Sequence, residues 1–365
     1  GTTDALVKFT TDIIDSLDSK ECLGVRALML DFSKAFDRMK PDIAIDKLVK
    51  LGINPTVIHL IRSFLSGRAQ CVRYRGYMSP YQQCHIGVPQ GTILGPLLWN
   101  VYINDLTPHS AKYIKYADDS TAYHPIMKTD IEILSSTKQA SNISIRDDCL
   151  QQAADYATEW CNANSMLINA TKSNSIIFSL KKQVNTPPIM INNSAVADDD
   201  TVKLLGVTFD RHLRFNHHVN TIIDKCRPNF HAICRLRKAG VNSASLAYFY
   251  QSRIVPLLTY ASPCWFPLIC KSDSERLERY QRHCLRVIYP ELDNTDTRLE
   301  TTGLEDICVR LNTQCLNYTH RVKGNDNHPL HQLSSTGRIS GRSGRHIPEK
   351  SRTALRSKSL FHRFC

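Results

Sequence analysis

The pattern of apolar and polar positions near the amino terminus predicts a buried strand that ends in an acidic residue. Residues 25–31 read VRALMLD and have the length and apolar continuity of a buried strand. The next residues, FSKAFDRMKP, are typical of a turn followed by the start of a helix. We therefore expect the strand to present Asp31 at its carboxyl end.

Helical periodicity dominates the stretch that follows. Apolar residues recur at helical spacing over residues 42–51, 55–65 and 97–106. Residues 70–85 predict a β-hairpin whose turn is built on Arg75, Gly76 and Tyr77. These elements would lead the chain from the first strand to a second acidic segment.

The second acidic segment predicts two strands joined by a tight turn. Residues 113–124 read YIKYADDSTAYH, in which β-prone residues flank an acidic pair. We expect Asp118 and Asp119 to occupy the turn. The later elements predicted by periodicity are a helix over residues 147–164 and strands over residues 175–180 and 202–210. The chain up to about residue 210 is therefore predicted to be a mixed α+β body.

The remainder of the chain has a different character, with helices rich in arginine and lysine. The helix candidates after His217 are residues 219–238, 244–255 and 273–288. Residues 254–270 lack charge, but their prolines and short length favour a buried helix end and turn over a membrane span. Residues 321–365 are rich in basic residues, Gly and Ser, and predict a flexible, electrostatically adhesive tail.

Composition and charge narrow the class of partner. The chain has 365 residues, 42% hydrophobic and 22% charged, which allows a sizeable core in two or three subdomains. Its formal net charge of +12 favours a polyanion, with nucleic acid ahead of an acidic membrane surface. The 13 cysteines form no CxxC pair, which argues against zinc sites of regular spacing. With no secretory signal, we expect reduced thiols and an intracellular location, in the nucleus, the cytoplasm or both.

Three aspartates form the candidate catalytic cluster. Phosphoryl transfer to a nucleotide uses carboxylates that hold two divalent ions roughly 3.5–4 Å apart. Asp31 at a strand end and Asp118 and Asp119 in a hairpin would supply such carboxylates if the strands lie side by side. Mg²⁺ suits oxygen ligands of this kind, with Mn²⁺ as a substitute. An isolated Asp-Asp pair is more often an ordinary turn, and for this pair alone that alternative stays open.

Five sequence blocks in order place the aspartates in a known context. Residues 30–37 (LDFSKAFD), 87–106 (GVPQGTILGPLLWNVYINDL) and 116–119 (YADD) resemble successive palm motifs of reverse transcriptases. Residues 169–178 (NATKSNSIIF) and 202–210 (VKLLGVTFD) resemble the next two motifs. The blocks are most similar to those of non-LTR, LINE-type retrotransposons. Their order makes the resemblance far more specific than any single motif.

The resemblance implies an α+β fold, a polymerase palm with an antiparallel sheet packed on helices, partial fingers and a C-terminal helical thumb. The implied domains are a fingers remnant at residues 1–24, a palm with embedded fingers elements at 25–210, a helical thumb and connection at 211–320 and the basic tail at 321–365. Because the chain starts at Gly1 without a methionine and ends in a basic run, we expect both ends to be cuts from a longer protein. Since the chain starts after most of the fingers, we expect this piece alone to be weakly active or inactive.

The activity that the resemblance implies is RNA-directed DNA polymerisation. In this reaction two metal ions assist the template-directed addition of deoxynucleotides (dNTPs) to a primer 3′-hydroxyl. The expected partners are an RNA template, a DNA primer or target, and dNTPs, with no membrane. Two alternatives stay open. One is a catalytically incompetent retroelement remnant that only binds nucleic acid, and the other is an intron maturase or telomerase-like reverse transcriptase.

The resemblance also assigns roles to residues of the first and third motifs. Asp31, Asp118 and Asp119 are implied to be the catalytic, metal-binding residues. Phe36 stands at the family's steric gate, where a ring excludes a ribose 2′-hydroxyl, and Lys34 would touch the triphosphate. A core aromatic beside a helix start is the structural alternative for Phe36.

Nucleotide contacts are implied for two further blocks. Pro89, Gln90 and Gly91 resemble the loop over the incoming nucleotide, where glycine allows close approach of backbone. Lys172 matches the lysine that protonates or neutralises the leaving pyrophosphate. Plain turn residues and a solvated surface lysine are the corresponding alternatives.

The last block supplies an expected primer site. Leu204, Leu205 and Gly206 resemble the primer grip, which positions the primer 3′ end through backbone contacts. A core strand is the alternative, and both readings can hold at once. The helices after His217 match the place of the thumb, whose basic side chains would track a duplex through its phosphates.

Overall fold

The chain falls into two units in the computed structural model. The structure describes residues 1–133, 143–145, 149–180, 184, 186–334, 338–339, 346–347, 351 and 353–364. We call Arg26–Ile177 with Asn185–Asp199 the sheet unit. The helical unit comprises Gly1–Val25, Phe178–Val184 and Asp200–Cys365.

The helices and strands of the described residues alternate in the first part of the chain and are mainly helical after residue 210. The helices are α1 Thr2–Leu17, α2 Ala35–Arg38, α3 Pro41–Lys50, α4 Pro55–Leu65, α5 Leu94–Ile103, α6 Cys149–Ala163, α7 Asn216–Lys238, α8 Ser243–Arg253, α9 Val255–Thr259, α10 Ser262–Trp265, α11 Lys271–Ile288, α12 Thr295–Thr302, α13 Ile307–Lys323, α14 His331–Ser334, α15 Ala354–Lys358 and α16 Leu360–Phe364. The strands are β1 Cys22–Leu30, β2 Arg68–Gln70, β3 Arg73–Tyr74, β4 Tyr77–Met78, β5 Gln82–Cys84, β6 Lys112–Tyr116, β7 Asp119–Met127, β8 Ile131–Ile133, β9 Ile143–Ile145, β10 Asn174–Phe178, β11 Ile189–Ile191, β12 Ser194–Val196, β13 Thr201–Leu204, β14 Val207–Asp210, β15 Arg338–Ile339 and β16 His346–Ile347.

A four-stranded sheet organises the sheet unit. Its strand order is β10-β1-β7-β6, so β1 lies beside β7 although the two are far apart along the chain. Residues Leu28 of β1 and Ala122 of β7 are buried in one apolar core with Trp99 and Tyr102 of α5 and Trp160 of α6. Burying these large apolar surfaces against the sheet stabilises the layered arrangement. The prediction of a mixed helix and sheet body is confirmed.

The single charged residue of β1 is compensated within the sheet unit. Arg26 is only 2% exposed, and its guanidinium donates two hydrogen bonds to the Asp198 carboxylate, at 3.1 and 3.0 Å. Asp198 also accepts a hydrogen bond of 2.6 Å from the Ser175 hydroxyl of β10. A buried charge is tolerated when it is paired and hydrogen-bonded in this way. The strand can therefore carry an arginine in an otherwise apolar sequence.

A buried lysine joins three helices of the same unit. The Lys47 ammonium of α3 donates hydrogen bonds to the backbone carbonyl of Tyr102 at 2.6 Å and to the Asp105 carboxylate at 2.7 Å. It also lies 4.8 Å from the ring centres of both Tyr102 and Trp160. Burial lowers the pKa of Lys47, and the hydrogen bond and charge of Asp105 oppose that shift. Lys47 thus links α3 to α5 and α6 through one charge.

The helical unit is built on aromatic contacts at its amino-terminal helix. The Phe9 ring of α1 meets the rings of Phe178 and Phe209 edge to face, with centroid distances of 5.8 and 5.4 Å. The Thr10 hydroxyl lies 3.1 Å from the Cys264 sulfur of α10. Residues 1–24, expected to be a fingers remnant, fall within this unit. None of the helices in the described ranges is long and apolar enough to cross a membrane.

Most of the predicted elements are confirmed, with small shifts of their ends. The strand expected over residues 25–31 is β1, and the hairpin expected over residues 70–85 is formed by β2 to β5. Helices α3, α4, α5, α7, α8 and α11 correspond to the predicted helices. The helix predicted over residues 147–164 is α6, and the start of that prediction, residues 147–148, lies outside the described residues.

Three local predictions are corrected by the structure. Residues 202–210 form a hairpin rather than one strand, because Leu205 and Gly206 adopt left-handed φ values of 45° and 87° and reverse the chain. Asp119 is the first residue of β7, so the turn consists of Ala117 and Asp118. At Leu205 and Gly206 the two-residue turn is too short to interrupt the β-prone pattern around it, whereas at Ala117 and Asp118 the predicted turn is displaced by one residue.

The third correction concerns the expected flexible tail. Within it, the Thr353 backbone N–H and the Arg356 guanidinium donate to the buried Asp18 carboxylate at the end of α1, at 2.7 and 3.0 Å. Leu360 and Phe361 are each 5% exposed. This basic segment therefore packs within the helical unit, because the buried Asp18 carboxylate requires hydrogen-bond donors. The composition of the tail does not reveal this contact, since Asp18 is far away along the chain. Residues 335–337, 340–345 and 348–350 of the tail lie outside the described residues.

We predict that Lys47→Ala lowers the free energy of unfolding by about 2 kcal/mol, because it removes hydrogen bonds from a charged group to Tyr102 and Asp105. Urea denaturation followed by circular dichroism measures the change. Lys50→Ala is the matched control, since Lys50 lies on the exposed side of the same helix. Equal effects of the two substitutions would contradict the role given to Lys47.

Candidate active site

The backbone around Asp31 is fixed from both sides. Asp31 directly follows β1, and its N–H donates to the Ser173 hydroxyl at 3.3 Å. Its carbonyl accepts a hydrogen bond of 2.8 Å from the Asn169 N–H. The next residue, Phe32, forms an antiparallel bridge with Ile168. The segment of the fourth motif therefore holds Asp31 at the end of its strand.

The turn of the second acidic segment is anchored to the core. Strands β6 and β7 pair antiparallel as far as Tyr116 and Asp119, and Ala117 takes a left-handed φ of 53°. The carbonyl of Ala117 accepts a hydrogen bond of 2.6 Å from the indole N–H of Trp99, a fully buried residue of α5. A buried tryptophan needs an acceptor for that N–H. The Ala117 carbonyl is that acceptor, so the hydrogen bond fixes the acidic turn against α5.

The three aspartates share one electrostatic neighbourhood. Partial burial raises the pKa of Asp119, and the carboxylates of Asp118 and Asp31 raise it further. Neighbouring negative charges disfavour ionisation of a carboxyl group, which accounts for the direction of this shift. The strand order supports the same conclusion, because β1, which precedes Asp31, neighbours β7, which begins at Asp119. The carboxylates thus repel one another when all are ionised.

The cluster is open rather than closed into a tight ligand shell. Among the described residues, one group of three side chains of metal-binding types has all its donor atoms within 4.8 Å of one another, and it consists of Glu278, Asp306 and Cys308. In that group Asp306 already caps α13, accepting a hydrogen bond from the Cys308 N–H at 2.9 Å. The aspartates lie near each other without forming so compact a set. Their all-oxygen donors nevertheless fit a hard divalent cation, whose charge would relieve the repulsion.

The loop of the second motif is held against the segment that carries Phe36. The N–H of Val88 donates to the Phe36 carbonyl at 3.0 Å, and the N–H of Gly87 donates to the Met39 carbonyl at 2.7 Å. Gly87 has a φ of 79°, and a Cβ there would lie 2.9 Å from the Asp37 carbonyl oxygen. Glycine is therefore required for this close approach. The two motifs form one backbone surface.

The three loop residues that are predicted to contact the nucleotide each have a defined hydrogen bond or backbone conformation. The Gln90 side-chain amide donates to the Asp37 carboxylate at 3.2 Å. The Pro89 carbonyl accepts a hydrogen bond of 2.9 Å from the Thr92 hydroxyl, and Gly91 has a left-handed φ of 76°. The loop is thus shaped by its own hydrogen bonds. Pro89 and Gln90 line a cavity of about 800 Å³ together with residues 83–88.

The Phe36 ring is partly buried and rests on the same tryptophan that holds the acidic turn. Its centroid lies 5.4 Å from that of Trp99. Lys34 is exposed, with a left-handed φ of 51° at the start of α2. Lys172 is also exposed and belongs to the turn that binds the backbone of Asp31. Each of these side chains therefore belongs to a segment that either carries one of the aspartates or is hydrogen-bonded to one.

The predicted primer-binding residues belong to the helical unit. Leu204 ends β13, and Leu205 and Gly206 form its turn to β14. The hydroxyl of Tyr260 donates to the Leu205 carbonyl at 2.8 Å. A Cβ on Gly206 would lie 3.2 Å from the Tyr260 ring. The turn is consequently packed against one aromatic side chain.

Several structural residues of the site were not singled out from the sequence. Trp99 stands inside the second motif. A buried indole N–H requires a hydrogen-bond acceptor, but the sequence does not show that this acceptor is the Ala117 carbonyl. Asn169 and Ser173 stand inside the fourth motif and bind Asp31 through backbone and hydroxyl groups. Tyr260 had no local signal, because its partner turn lies far away along the chain.

Comparison with known proteins agrees with the motifs. Residues 10–209 match the family described as reverse transcriptase (RNA-dependent DNA polymerase). A probable RNA-directed DNA polymerase from transposon X-element of Drosophila melanogaster is 28% identical over 290 residues, covering 79% of this chain and 30% of that protein. The RNA-directed DNA polymerase from mobile element jockey of the same species is 27% identical over 291 residues, covering 79% of this chain and 31% of that protein. The chain spans about a third of the length of these relatives.

The solved structures add little. Telomerase from Candida albicans, solved with a fragment of telomeric RNA, has 14% identity and a TM-score of 0.40, covering 90% of this chain and 48% of that chain. Likeness at that level carries no argument about function. The family match, in contrast, covers more than half of the chain and confirms the resemblance to non-LTR retrotransposon polymerases. The chain therefore belongs to the reverse transcriptase family.

Proposed function

We propose that this chain carries the polymerising site of the RNA-directed DNA polymerase of a non-LTR, LINE-type retrotransposon. The reaction is the addition of a dNTP to a primer 3′-hydroxyl on an RNA template, with release of pyrophosphate. The observation that carries the proposal is the electrostatic neighbourhood of Asp31, Asp118 and Asp119 in a chain of this family. In this proposal the sheet unit corresponds to the palm and much of the helical unit to the thumb.

Asp31, Asp118 and Asp119 would hold the metal ions. The family generally uses divalent metals, and we propose a pair of Mg²⁺ ions, with Mn²⁺ as a substitute. When bound, such ions activate the attacking hydroxyl and neutralise charge on the leaving group. The contribution of the chain is to keep the carboxylates in place beforehand. Trp99 does so for the turn of Asp118, and Asn169 and Ser173 do so for the backbone of Asp31.

The contact between Phe36 and Trp99 supports the role of a steric gate. A ring packed against a fully buried indole cannot move aside without losing that contact. An added 2′-hydroxyl would then meet a fixed wall, so deoxynucleotides are preferred. Pro89, Gln90 and Gly91 would cover the nucleotide. The site would therefore select deoxynucleotides and synthesise DNA.

Two exposed lysines supply positive charge for the triphosphate. Lys34 would contact the triphosphate as it arrives, and Lys172 would protonate or neutralise the departing pyrophosphate. Lys172 is suited to this because its turn binds Asp31 directly. In the helical unit, Leu204, Leu205 and Gly206 would bind the primer end through their backbone, with Tyr260 supporting the turn.

We predict that the full-length protein that carries this chain incorporates dTTP on poly(rA) primed with oligo(dT) in the presence of Mg²⁺. Asp118→Ala should lower incorporation by about 100-fold or more, because several kcal/mol of charge stabilisation would be lost. Asp46→Ala is the control, since Asp46 is an exposed aspartate of α3. Incorporation that persists unchanged in Asp118→Ala defeats the assignment. Nucleic-acid binding without incorporation by the unaltered full-length protein would instead favour a remnant that only binds.

A second prediction concerns sugar selection. Phe36→Ala should raise the efficiency of ribonucleotide incorporation relative to deoxynucleotides by about tenfold or more, because the space of the 2′-hydroxyl opens. Phe36→Tyr keeps the ring and should keep the selectivity. Steady-state kinetics with dTTP and UTP on the same template measure the ratio. If both variants select as the unaltered chain does, Phe36 is a core aromatic and not a gate.

A third prediction follows from the raised pKa of Asp119. Stability associated with the neutral form of Asp119 is present at low pH and is lost as the pH rises through the raised pKa. Mg²⁺ should therefore raise the melting temperature at pH 8, and by less as the pH falls towards that pKa. Differential scanning fluorimetry against an EDTA blank measures this shift.

The matching variants for the metal prediction are Asp119→Asn and Asp46→Asn. Asp119→Asn should raise the melting temperature of the metal-free chain at neutral pH, since it removes a repelled charge, and should reduce the response to Mg²⁺. Asp46→Asn should leave the response intact. An undiminished response in Asp119→Asn would show that the cation binds elsewhere.

A further inference from the structure

A hairpin of the sheet unit projects aromatic side chains into solvent. Strands β2 and β5 pair from Arg68 with Cys84, and β3 and β4 continue the hairpin from Arg73 with Met78. The tip is a two-residue turn at Arg75 and Gly76, with left-handed φ values of 47° and 88°. Such a turn matches the twist of a tight antiparallel ribbon. The element is thus a defined two-stranded arm.

The arm exposes three tyrosines that no proposed catalytic step uses. Tyr74, Tyr77 and Tyr81 are 66%, 83% and 69% exposed. Tyr74 and Tyr77 are directly paired across β3 and β4, so their side chains lie on the same face of the arm. The guanidinium of Arg75 lies 5.3 Å from the ring centre of Tyr74. Several solvent-exposed aromatic side chains close together on one surface are typical of an interaction site.

The charged side chains of the arm are all positive. The sequence contains no Asp or Glu from Lys47 to Asn104. Arg68 is used at the base of the arm, where it donates hydrogen bonds to the carbonyls of Gly87 at 2.6 Å and Leu65 at 3.0 Å. Arg73 and Arg75 are exposed near the tip. A surface of this kind complements a polyanion better than it complements a protein, whose interfaces mix both signs.

We propose that this arm binds single-stranded nucleic acid, with bases stacked on Tyr74 and Tyr77 and phosphates paired with Arg73 and Arg75. Exposed rings beside cations are the features that bind unpaired strands, because every base offers a π-face. A duplex hides those faces in its own stack. The inference rests on the proposed function in identifying the strand as RNA template not yet copied. Binding itself is measured apart from polymerisation.

The test is fluorescence anisotropy with the full chain and a labelled single-stranded RNA of mixed sequence, in EDTA so that no polymerisation occurs. The double variant Tyr74→Leu/Tyr77→Leu should weaken binding by about tenfold or more, because leucine keeps apolar bulk and loses the π-face. Tyr74→Phe/Tyr77→Phe should retain binding. A ribose-phosphate chain without bases should bind as weakly to the unaltered chain as the RNA binds to the leucine variant.

The contribution of the arginines is measured separately, through the salt dependence of the binding affinity. Arg73→Gln/Arg75→Gln should reduce the slope of log affinity against log salt by about 1.4, from two lost phosphate contacts. A single-stranded DNA of the same sequence, compared with the RNA, shows whether the arm distinguishes the sugar. Thermal melts followed by circular dichroism check that the exposed substitutions leave the fold unchanged.

Opposite outcomes separate this inference from the proposed function. Ring-dependent binding supports the inference whether or not the chain polymerises. Equal affinity of the leucine and phenylalanine variants, or equal affinity for the chain without bases, overturns it. The same holds if the leucine variant loses only self-association in sedimentation experiments, since the arm would then bind a second copy. Polymerisation without ring-dependent binding overturns the inference and leaves the proposed function standing.

Discussion

Mutual repulsion among carboxylates is the constraint on which the candidate site depends. A fold gains nothing from placing Asp31 and Asp118 near Asp119, since their carboxylates disfavour the charged form of Asp119 and raise its pKa. The arrangement persists because the surrounding elements determine it. The strand order places β1 beside β7, and hydrogen bonds fix the backbone at both acidic segments. In the proposed function, this unfavourable arrangement serves to bind cations, whose charge would relieve the repulsion.

Trp99 connects the parts of that arrangement. Its indole N–H holds the turn before Asp118, and its ring supports Phe36 while it packs in the apolar core. The position of the acidic turn and the rigidity of the proposed gate therefore depend on one buried side chain. Sugar selection and metal binding are coupled through the core in this account. The loop of Gln90 is joined to the same segment by hydrogen bonds to Phe36 and Met39.

The sequence predicts local elements well and tertiary partners poorly. The run before Asp31 predicts β1 because apolar continuity is a local property. The start of helix α4 was predictable, since Asn54 caps it and Pro55 begins it. The turn at Leu205 and Gly206 was missed because β-prone residues flank it on both sides. Asp18 and Arg356 are joined across more than three hundred residues, which no local pattern encodes.

The roles of the site residues came from ordered motifs rather than from physical pattern. An acidic pair in a turn is common, and only the five blocks together distinguished this one. The central claim is that Asp31, Asp118 and Asp119 share one electrostatic neighbourhood. Titration of the chain labelled with ¹³C at aspartate carboxyl groups, followed by NMR without metal, measures it directly. We predict that the pKa of Asp119 is raised and falls towards its ordinary value in Asp31→Asn and in Asp118→Asn. A pKa of Asp119 that is unchanged in both variants would contradict the account.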